Sequence, residues 1–202
     1  MGHRFAELVF TPRVKALQEE LGSRRGYARM ESGEASHAAL GPREAAYIAE
    51  RDSFYMASVS ETGWPYVQHR GGPAGFVRVL DEKTLGFADF KGNRQYVSVG
   101  NLSGDDRVSL FFMDYPNRTR LKLLGRAQRI ELGQSELLSK LALPGYPAQV
   151  ERGFRIHVEA FDWNCPQHIT PRFTAAEVEA ATAPLRERIA ELEAQLEGRG
   201  AA

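Results

Sequence analysis

The chain has 202 residues, 43% of them hydrophobic and 26% charged, which is enough apolar material for one good-sized core. Lysine plus arginine and aspartate plus glutamate both total 26, so no global basic field favours nucleic acid as a partner. No apolar run approaches the roughly 20 residues that span a bilayer, and the charged start lacks a signal-peptide core. We therefore expect a cytoplasmic protein with no nucleic-acid or membrane partner.

The cysteine content limits the cofactors that the chain can hold. Cys165 is the single cysteine, which excludes an internal disulfide framework and a multi-cysteine zinc site. We expect no metal centre, and any cofactor must be bound by other chemistry.

The first part of the chain, residues 1–50, is predicted to be a helical extension of two amphipathic helices. Thr11 is a candidate N-cap, Pro12 suits the first helical position, and Gly22 ends the apolar periodicity. The second helix begins near Pro42 and carries Ile48 on its apolar face.

From Phe54 onward the pattern changes to short runs of aromatic and β-branched residues separated by turn formers. Such runs favour an antiparallel barrel or sandwich over alternating β-α units. We predict a mainly β fold, a six- to seven-stranded antiparallel split barrel over residues 51–173, with short helices within 93–102 and 134–143. The predicted strands are residues 54–60, 64–70, 75–80, 84–90, 107–114, 120–131 and 154–163.

Residues 174–202 are predicted to form a C-terminal helix and tail. Leu185, Ile189, Leu192 and Leu196 recur at steps of four, three and four, on one helical stripe. Because the stripe is only about two heptads long, we do not predict an independent coiled coil. We expect the helix to pack on its own barrel or across a dimer.

A loop after the fourth predicted strand, DFKGNRQYVSVGNL, has the composition of an anion site. Gly92 allows a tight turn, and Asn93, Arg94 and Gln95 follow at the predicted start of a helix, where free N–H groups and the dipole attract a phosphate. Arg94 adds a planar fork of donors and Lys91 a second charge. An ordinary turn with a solvated arginine explains the same residues.

A second polar cluster, Gln68, His69 and Arg70, ends a predicted strand. Gly71 follows it, and the missing side chain would let a flat ligand approach the backbone. These polar residues lie where a barrel strand is usually apolar, so they are candidate ligand contacts.

A third cluster places Arg118, Arg120 and Lys122 at a spacing of two residues, which puts them on one face of a strand. Three cations on one face indicate either a binding stripe or the charged solvent face of an antiparallel sheet.

Together these stretches resemble a known family. Residues 51–81, 85–102, 107–116 and 120–127 are similar, in that order, to the pyridoxamine 5′-phosphate oxidase-related FMN-binding split-barrel proteins, and more narrowly to their flavin-nucleotide-binding branch. The likeness covers roughly residues 10–173. It implies a homodimer with FMN in a groove between the subunits.

The resemblance also implies roles for individual residues. The family's phosphate loop matches Gly92-Asn93-Arg94-Gln95, the flavin ring follows the strand Tyr66–Gly71, and a further strand contributes at Arg120 and Lys122. Where the oxidase carries a lysine after the arginine, this chain has Gln95, and Lys91 or Lys122 would replace the missing charge. The predicted FMN-binding residues are Gln68, His69, Arg70, Gly71, Lys91, Asn93, Arg94, Gln95, Ser98, Arg120, Lys122 and Trp163.

The block FDWNCPQHITPRF gathers Trp163, Asn164, His168 and Arg172 around two prolines. Trp163 can stack on a flat ring of a neighbouring subunit, or it is a core or interface aromatic. The oxidase's own substrate motif, arginine-x-histidine-aspartate-arginine, does not occur in the chain, so we do not expect that enzyme's reaction.

We therefore expect an FMN-binding flavoprotein that acts as an oxidoreductase on a small molecule, with a nicotinamide compound as one possible donor. No catalytic residue is assigned, although His69 and His168 are the histidines of the candidate region that can move a proton. Two alternatives stay open: a non-catalytic flavin carrier or redox sensor, and a haem-binding member of the same superfamily.

Overall fold

The computed structural model of the chain describes residues 3–32, 36–133, 135–163 and 166–200. It divides into two compact units, one of residues 1–114 with 119–166 and one of residues 115–118 with 167–202. Asn164 and Cys165, which were singled out in the sequence, lie outside the described residues.

In the described part of residues 1–52, four helices come before the first strand: α1 (Arg4–Val9), α2 (Pro12–Glu20), α3 (Arg24–Ser32) and α4 (Pro42–Ala49). The predicted start of α2 is confirmed, because the Thr11 hydroxyl accepts a hydrogen bond from the Val14 N–H at 3.5 Å. The sequence predicted only α2 and α4. It missed α1, which has six residues, and α3, which contains Gly26 and has few apolar residues.

The seven predicted strand segments are all confirmed as strands of one antiparallel sheet, in the order β2-β1-β5-β6-β7-β4-β3. The strands are β1 (Ser53–Val59), β2 (Pro65–Gly71), β3 (Val77–Asp81), β4 (Thr84–Phe90), β5 (Arg107–Asp114), β6 (Thr119–Ile130) and β7 (Val150–Trp163). Several strand boundaries differ from the prediction: β3 begins at Val77 and not at residue 75, and β7 begins at Val150 and not at residue 154. Arg118 lies in the turn before β6 with φ 53° and does not share a strand face with Arg120 and Lys122.

The sheet curls so that its two ends approach each other. Strands β2 and β3 are the sheet edges, yet Arg70 of β2 forms an ion pair with Asp89 of β4. Helix α5 (Val97–Gly104) lies against the β1–β2 end, where Ser98 donates a hydrogen bond to Gln68 at 2.8 Å and Asn101 donates one to Ser58 at 3.0 Å. The sheet thus closes through side-chain contacts, since its edge strands β2 and β3 are not paired with each other, and this arrangement confirms the predicted split barrel.

The barrel interior is filled by aromatic rings from several strands. The Phe54 ring lies 4.9 Å from that of Phe112, 5.2 Å from that of Phe87 and 5.8 Å from that of Phe76, centroid to centroid. Helix α4 closes one side with the buried residue Ile48. Apolar side chains alternate inward along β5 and β6, as period-2 patterning requires.

The two remaining helices are α6 (Ser135–Lys140), in the first unit, and α7 (Ala175–Gly200), in the second. The short helix predicted within residues 134–143 is confirmed as α6, and the C-terminal helix as α7. Among the described residues, no helix has both the length and the apolar character needed to cross a membrane.

Candidate cofactor cleft

The first unit contains a cleft of about 240 Å³ at the point where the two ends of the sheet meet. Its walls come from β2, the end of β4, the loop 91–96, the first turn of α5 and the start of β7. The residues that line it are Tyr66, Gln68, Arg70, Asp89, Phe90, Gly92, Asn93, Arg94, Gln95, Tyr96, Val97, Ser98, Val99 and Glu151. The structure thus brings together six of the predicted binding residues: Gln68, Arg70, Asn93, Arg94, Gln95 and Ser98.

The helix next to the loop begins later than the sequence predicted. Tyr96 is the N-cap of α5, with φ 56°, so Asn93, Arg94 and Gln95 lie in the loop and not in the first helical turn. The Asn93 side chain accepts a hydrogen bond from the Gln95 N–H at 3.2 Å, a local turn that competes with helix formation.

Although α5 begins later than predicted, its N-terminus still lies at the cleft. The first helical residues, Val97, Ser98 and Val99, all line it. Because the first N–H groups of a helix have no intrahelical acceptor, this turn presents donors and a partial positive charge to an anion in the cleft.

Arg94 is held by its neighbours through only one of its nitrogens. Its Nε donates to the Tyr96 hydroxyl at 3.0 Å, and that hydroxyl lies 3.4 Å from a Glu151 carboxylate oxygen. The hydrogen bond to Tyr96 raises the pKa of the Arg94 guanidinium, so it stays charged. Within the described residues neither terminal nitrogen of Arg94 has a hydrogen-bond partner, and both remain available to a ligand.

A buried ionic cluster forms the floor of the cleft. The Asp89 carboxylate pairs with Arg70, and the Arg152 Nε lies 3.8 Å from its second oxygen. Burial raises the pKa of the Asp89 carboxyl, and the two arginines offset only part of that rise. The Arg70 Nε is buried with no hydrogen-bond partner in the described structure, so one donor of the cluster is unsatisfied.

Four charged or aromatic residues of this cleft were not predicted from the sequence: Asp89, Phe90, Tyr96 and Glu151. Asp89 had a detectable signal, since it is an acidic residue within the otherwise apolar strand TLGFADF. No pattern in the sequence indicated Tyr96 or Glu151, because their contact joins residues 55 positions apart.

A second pocket of about 170 Å³ adjoins the cleft and shares Gln68, Arg70, Asp89 and Phe90 with it. His69 and Gly71, both predicted binding residues, line this second pocket. The His69 ring also packs edge-on against Tyr55 at 5.6 Å, on the neighbouring strand β1.

Three predicted binding residues lie elsewhere in the protomer. Trp163 is at the far end of β7, about 40 Å along the strand from Glu151. Its Nε1 donates to Glu44 at 2.7 Å, and the Arg43 guanidinium lies over its ring at 4.3 Å.

Arg120 and Lys122 also have local contacts, although the Arg120 Nε is buried without a hydrogen-bond partner among the described residues. Lys122 pairs with Asp162 at 2.7 Å, and the Arg120 guanidinium lies 5.5 Å from the Phe111 ring centroid. Together with Trp163 they could contact a ligand in the cleft only from a partner subunit, and their assignment stays a prediction. Lys91, the first residue of the loop 91–96, is exposed and is not among the lining residues.

Comparison with known proteins identifies the family. Residues 40–152, more than half of the chain, match the family described as pyridoxamine 5′-phosphate oxidase, and the chain belongs to this family. The matched range includes every residue that lines the cleft. No curated protein matches the sequence.

Several solved structures are similar at low identity. A protein from Lactobacillus delbrueckii described as a putative pyridoxamine 5′-phosphate oxidase is 20% identical, with a TM-score of 0.48, over 61% of this chain and 93% of that chain. An FMN-binding protein from Syntrophomonas wolfei is 9% identical, with a TM-score of 0.46, over 73% and 97%. The haem storage protein of Vibrio cholerae is 18% identical, with a TM-score of 0.40, over 61% and 93%.

Proposed function

We propose that the protein is an FMN-binding flavoprotein that carries out oxidation or reduction of a small molecule. The observation that carries the proposal is the cleft itself, where Arg94 has two uncommitted terminal nitrogens beside the N-terminal turn of α5. The membership of the pyridoxamine 5′-phosphate oxidase family supports it.

The donors of the cleft fit the chemistry of FMN. A phosphate dianion needs cationic and N–H donors, which Arg94 and the first turn of α5 supply. The ribityl hydroxyls and the ring edge need groups that both donate and accept, and Gln68, Asn93 and Gln95 carry such groups. The negative charge of Asp89 is offset by Arg70 and Arg152, so it does not oppose anion binding.

We also propose that the flavin is shared between two subunits. The loop residues 92–97 are exposed in the protomer, so a ligand in the cleft would be covered on one side only. Bound cofactors are usually buried over most of their surface, which a twofold partner would achieve here. The exposed apolar residues Tyr55, Val59 and Val67 lie on the adjacent β1–β2 pair and offer a surface for that partner.

In this proposal the flavin supplies the redox chemistry, and the residues of the cleft bind and orient it. Arg94 fixes the phosphate end, while the Ser98–Gln68 hydrogen bond of 2.8 Å holds the Gln68 amide in place. We assign no catalytic residue.

The proposal is tested first by the absorption spectrum of the purified protein after addition of FMN and removal of unbound flavin by gel filtration. Bound flavin gives bands in the blue and near-ultraviolet, whereas a haem protein gives an intense Soret band. Anaerobic reduction by a nicotinamide donor, with turnover on an added acceptor, then separates an oxidoreductase from a flavin carrier or sensor.

The position of the phosphate is tested by titration with FMN. Arg94→Ala should weaken FMN binding by about 1.5–3 kcal/mol, the size expected for a charge-assisted hydrogen bond. Arg25→Ala, an exposed arginine of α3 outside the cleft, is the matched control. Riboflavin, which lacks the phosphate, should bind wild type and Arg94→Ala equally. Unchanged FMN affinity in Arg94→Ala would show that the phosphate lies elsewhere.

A further inference from the structure

Helix α7 carries an apolar stripe, interrupted at Thr182, that is exposed to solvent. Its 26 residues include Val178, Leu185, Ile189, Leu192 and Leu196, whose exposed fractions are 47%, 64%, 54%, 42% and 67%. Scattered apolar residues on a surface are ordinary, but five at helical spacing along one face indicate a face that binds a partner.

The spacing of the stripe is that of a coiled-coil seam. Steps of seven, four, three and four place Val178, Leu185 and Leu192 at d positions and Ile189 and Leu196 at a positions. Thr182 is the remaining a position between them, and Pro184 falls at c, away from the seam. Val178 therefore extends the seam by one heptad beyond the four residues that the sequence analysis used.

We propose that α7 pairs in parallel with α7 of a second copy of this chain. Ile189 at a with Leu185 and Leu192 at d is the combination that favours a parallel two-stranded coiled coil. In a parallel pair each g position faces the following e position of the partner helix. Arg188 at g then faces Glu193 at e of the second copy, and the twofold symmetry forms this opposite-charge pair twice.

The other charges of α7 are compatible with this pairing. The preceding g position is Ala181, which faces Arg186 without like-charge repulsion. Arg188 now pairs with Glu191 of its own helix at 2.7 Å, and both side chains are about 60% exposed. Such an exposed pair contributes little to stability, so Arg188 can exchange it for a partner across the seam at little cost.

The test is in-register disulfide formation in the full-length chain, with the single cysteine replaced (Cys165→Ser). Leu192→Cys lies at d, where parallel helices bring identical residues together, and Ala194→Cys at f is the matched control on the outer face. Mild oxidation should link Leu192→Cys chains to each other and leave Ala194→Cys chains unlinked. Equal linking at both positions, or none at either, would overturn the proposal.

Charge reversal provides the second readout. In the Leu192→Cys chain, Arg188→Glu or Glu193→Arg should each slow the linking, by about fivefold if both symmetric pairs are lost. The double reversal Arg188→Glu/Glu193→Arg should restore it. Loss without restoration would mean that this ion pair does not form.

Orientation is tested by mixing two single-cysteine chains. An antiparallel seam would bring Leu185→Cys beside Leu196→Cys, so these two chains would link to each other in preference to linking in register. That result would overturn the parallel pairing. None of these residues lines the cleft. At protein concentrations at which the barrel dimer stays intact, FMN binding should therefore be unchanged in every variant, and a failure of this proposal would leave the flavin proposal intact.

Discussion

At the residue scale, the ion pair between Arg70 and Asp89 connects the stability of the barrel to its cleft. The two side chains are only 12% and 9% exposed, so removing one partner leaves a buried charge. Arg70→Met should destabilise the protein by about 3 kcal/mol near neutral pH, measured by urea denaturation. Arg152 remains near Asp89 and keeps the loss from being larger.

The pH dependence of this variant has a definite sign. Because burial raises the folded-state pKa of Asp89, its contribution to stability is present below the unfolded pKa and is lost as pH rises through the folded value. Removing Arg70 raises that pKa further, so the deficit of Arg70→Met should shrink as the pH falls and the carboxyl becomes protonated. An equal deficit at pH 4 and pH 7 would contradict this account.

Tyr47 of α4 is a second buried titrating group. Its hydroxyl donates to the Thr119 carbonyl at 3.0 Å, and burial raises its pKa to about 12. Tyr47→Phe should therefore lower the free energy of unfolding by about 1 kcal/mol at pH 7.

The difference in the free energy of unfolding between wild type and Tyr47→Phe should decrease at alkaline pH. The folded-state pKa lies above the unfolded value of about 10, so stability from Tyr47 is lost as pH rises from about 10 towards 12. Denaturation at pH 7 and at pH 10.5 should show a smaller difference between Tyr47→Phe and wild type at the higher pH. Tyr146→Phe, at a residue that is 39% exposed, is the control.

At the element scale, two glycines test opposite consequences of adding one methyl group. At Gly125 the register of the β6–β7 pair shifts, and an added Cβ would lie 2.5 Å from the His157 carbonyl oxygen. Gly125→Ala should destabilise the protein by about 1–3 kcal/mol. At Gly100, inside α5, an added Cβ meets nothing within 4 Å.

Gly100→Ala should instead stabilise the protein by about 0.5–1 kcal/mol, because alanine restricts the unfolded chain and favours the helix. Thermal denaturation of the two variants side by side measures both effects. If the midpoint temperatures of both variants shift in the same direction, then either the Cβ at position 125 does not meet the His157 carbonyl or the Cβ at position 100 is not free of contacts.

The strands could be predicted from the sequence because their patterning is local, whereas the conformation of the loop 91–96 and the start of α5 could not. Period-2 patterning is local, so runs such as RVSLFFMD identify β5 and its inward residues. The loop 91–96 has no such periodicity. Its left-handed residues, Arg94 and Tyr96, are not glycine, and nothing in the sequence indicated that α5 would begin at Val97.

The candidate site was predictable only as a set of loop and strand-end residues. Gln68, Arg94 and Ser98 line the same cleft, because the loop after β4 lies beside β2 in the curled sheet. The pairing of Arg70 with Asp89 depends on that curl and joins residues 19 positions apart, so composition and spacing cannot reveal it. The locations of Trp163 and Lys122 depend on packing in the same way.

At the scale of the whole molecule, the proposed sharing of FMN between subunits makes cofactor binding and assembly interdependent. If each cleft is completed by a partner, FMN stabilises the dimer and not the isolated protomer. FMN at about 100 times its dissociation constant should add about 2.7 kcal/mol to the free energy of unfolding. Riboflavin should protect less than FMN does, because it lacks the phosphate.

The decisive measurement is dilution. When the protein with bound FMN is diluted, light scattering should report dissociation over the same concentration range in which flavin fluorescence reports release of FMN. Arg94→Ala should release FMN at higher protein concentrations than wild type, whereas Arg25→Ala should match wild type. A protomer that scatters as a monomer and still binds FMN tightly would contradict the shared site, because the exposed loop 92–97 would then hold the cofactor without a second subunit.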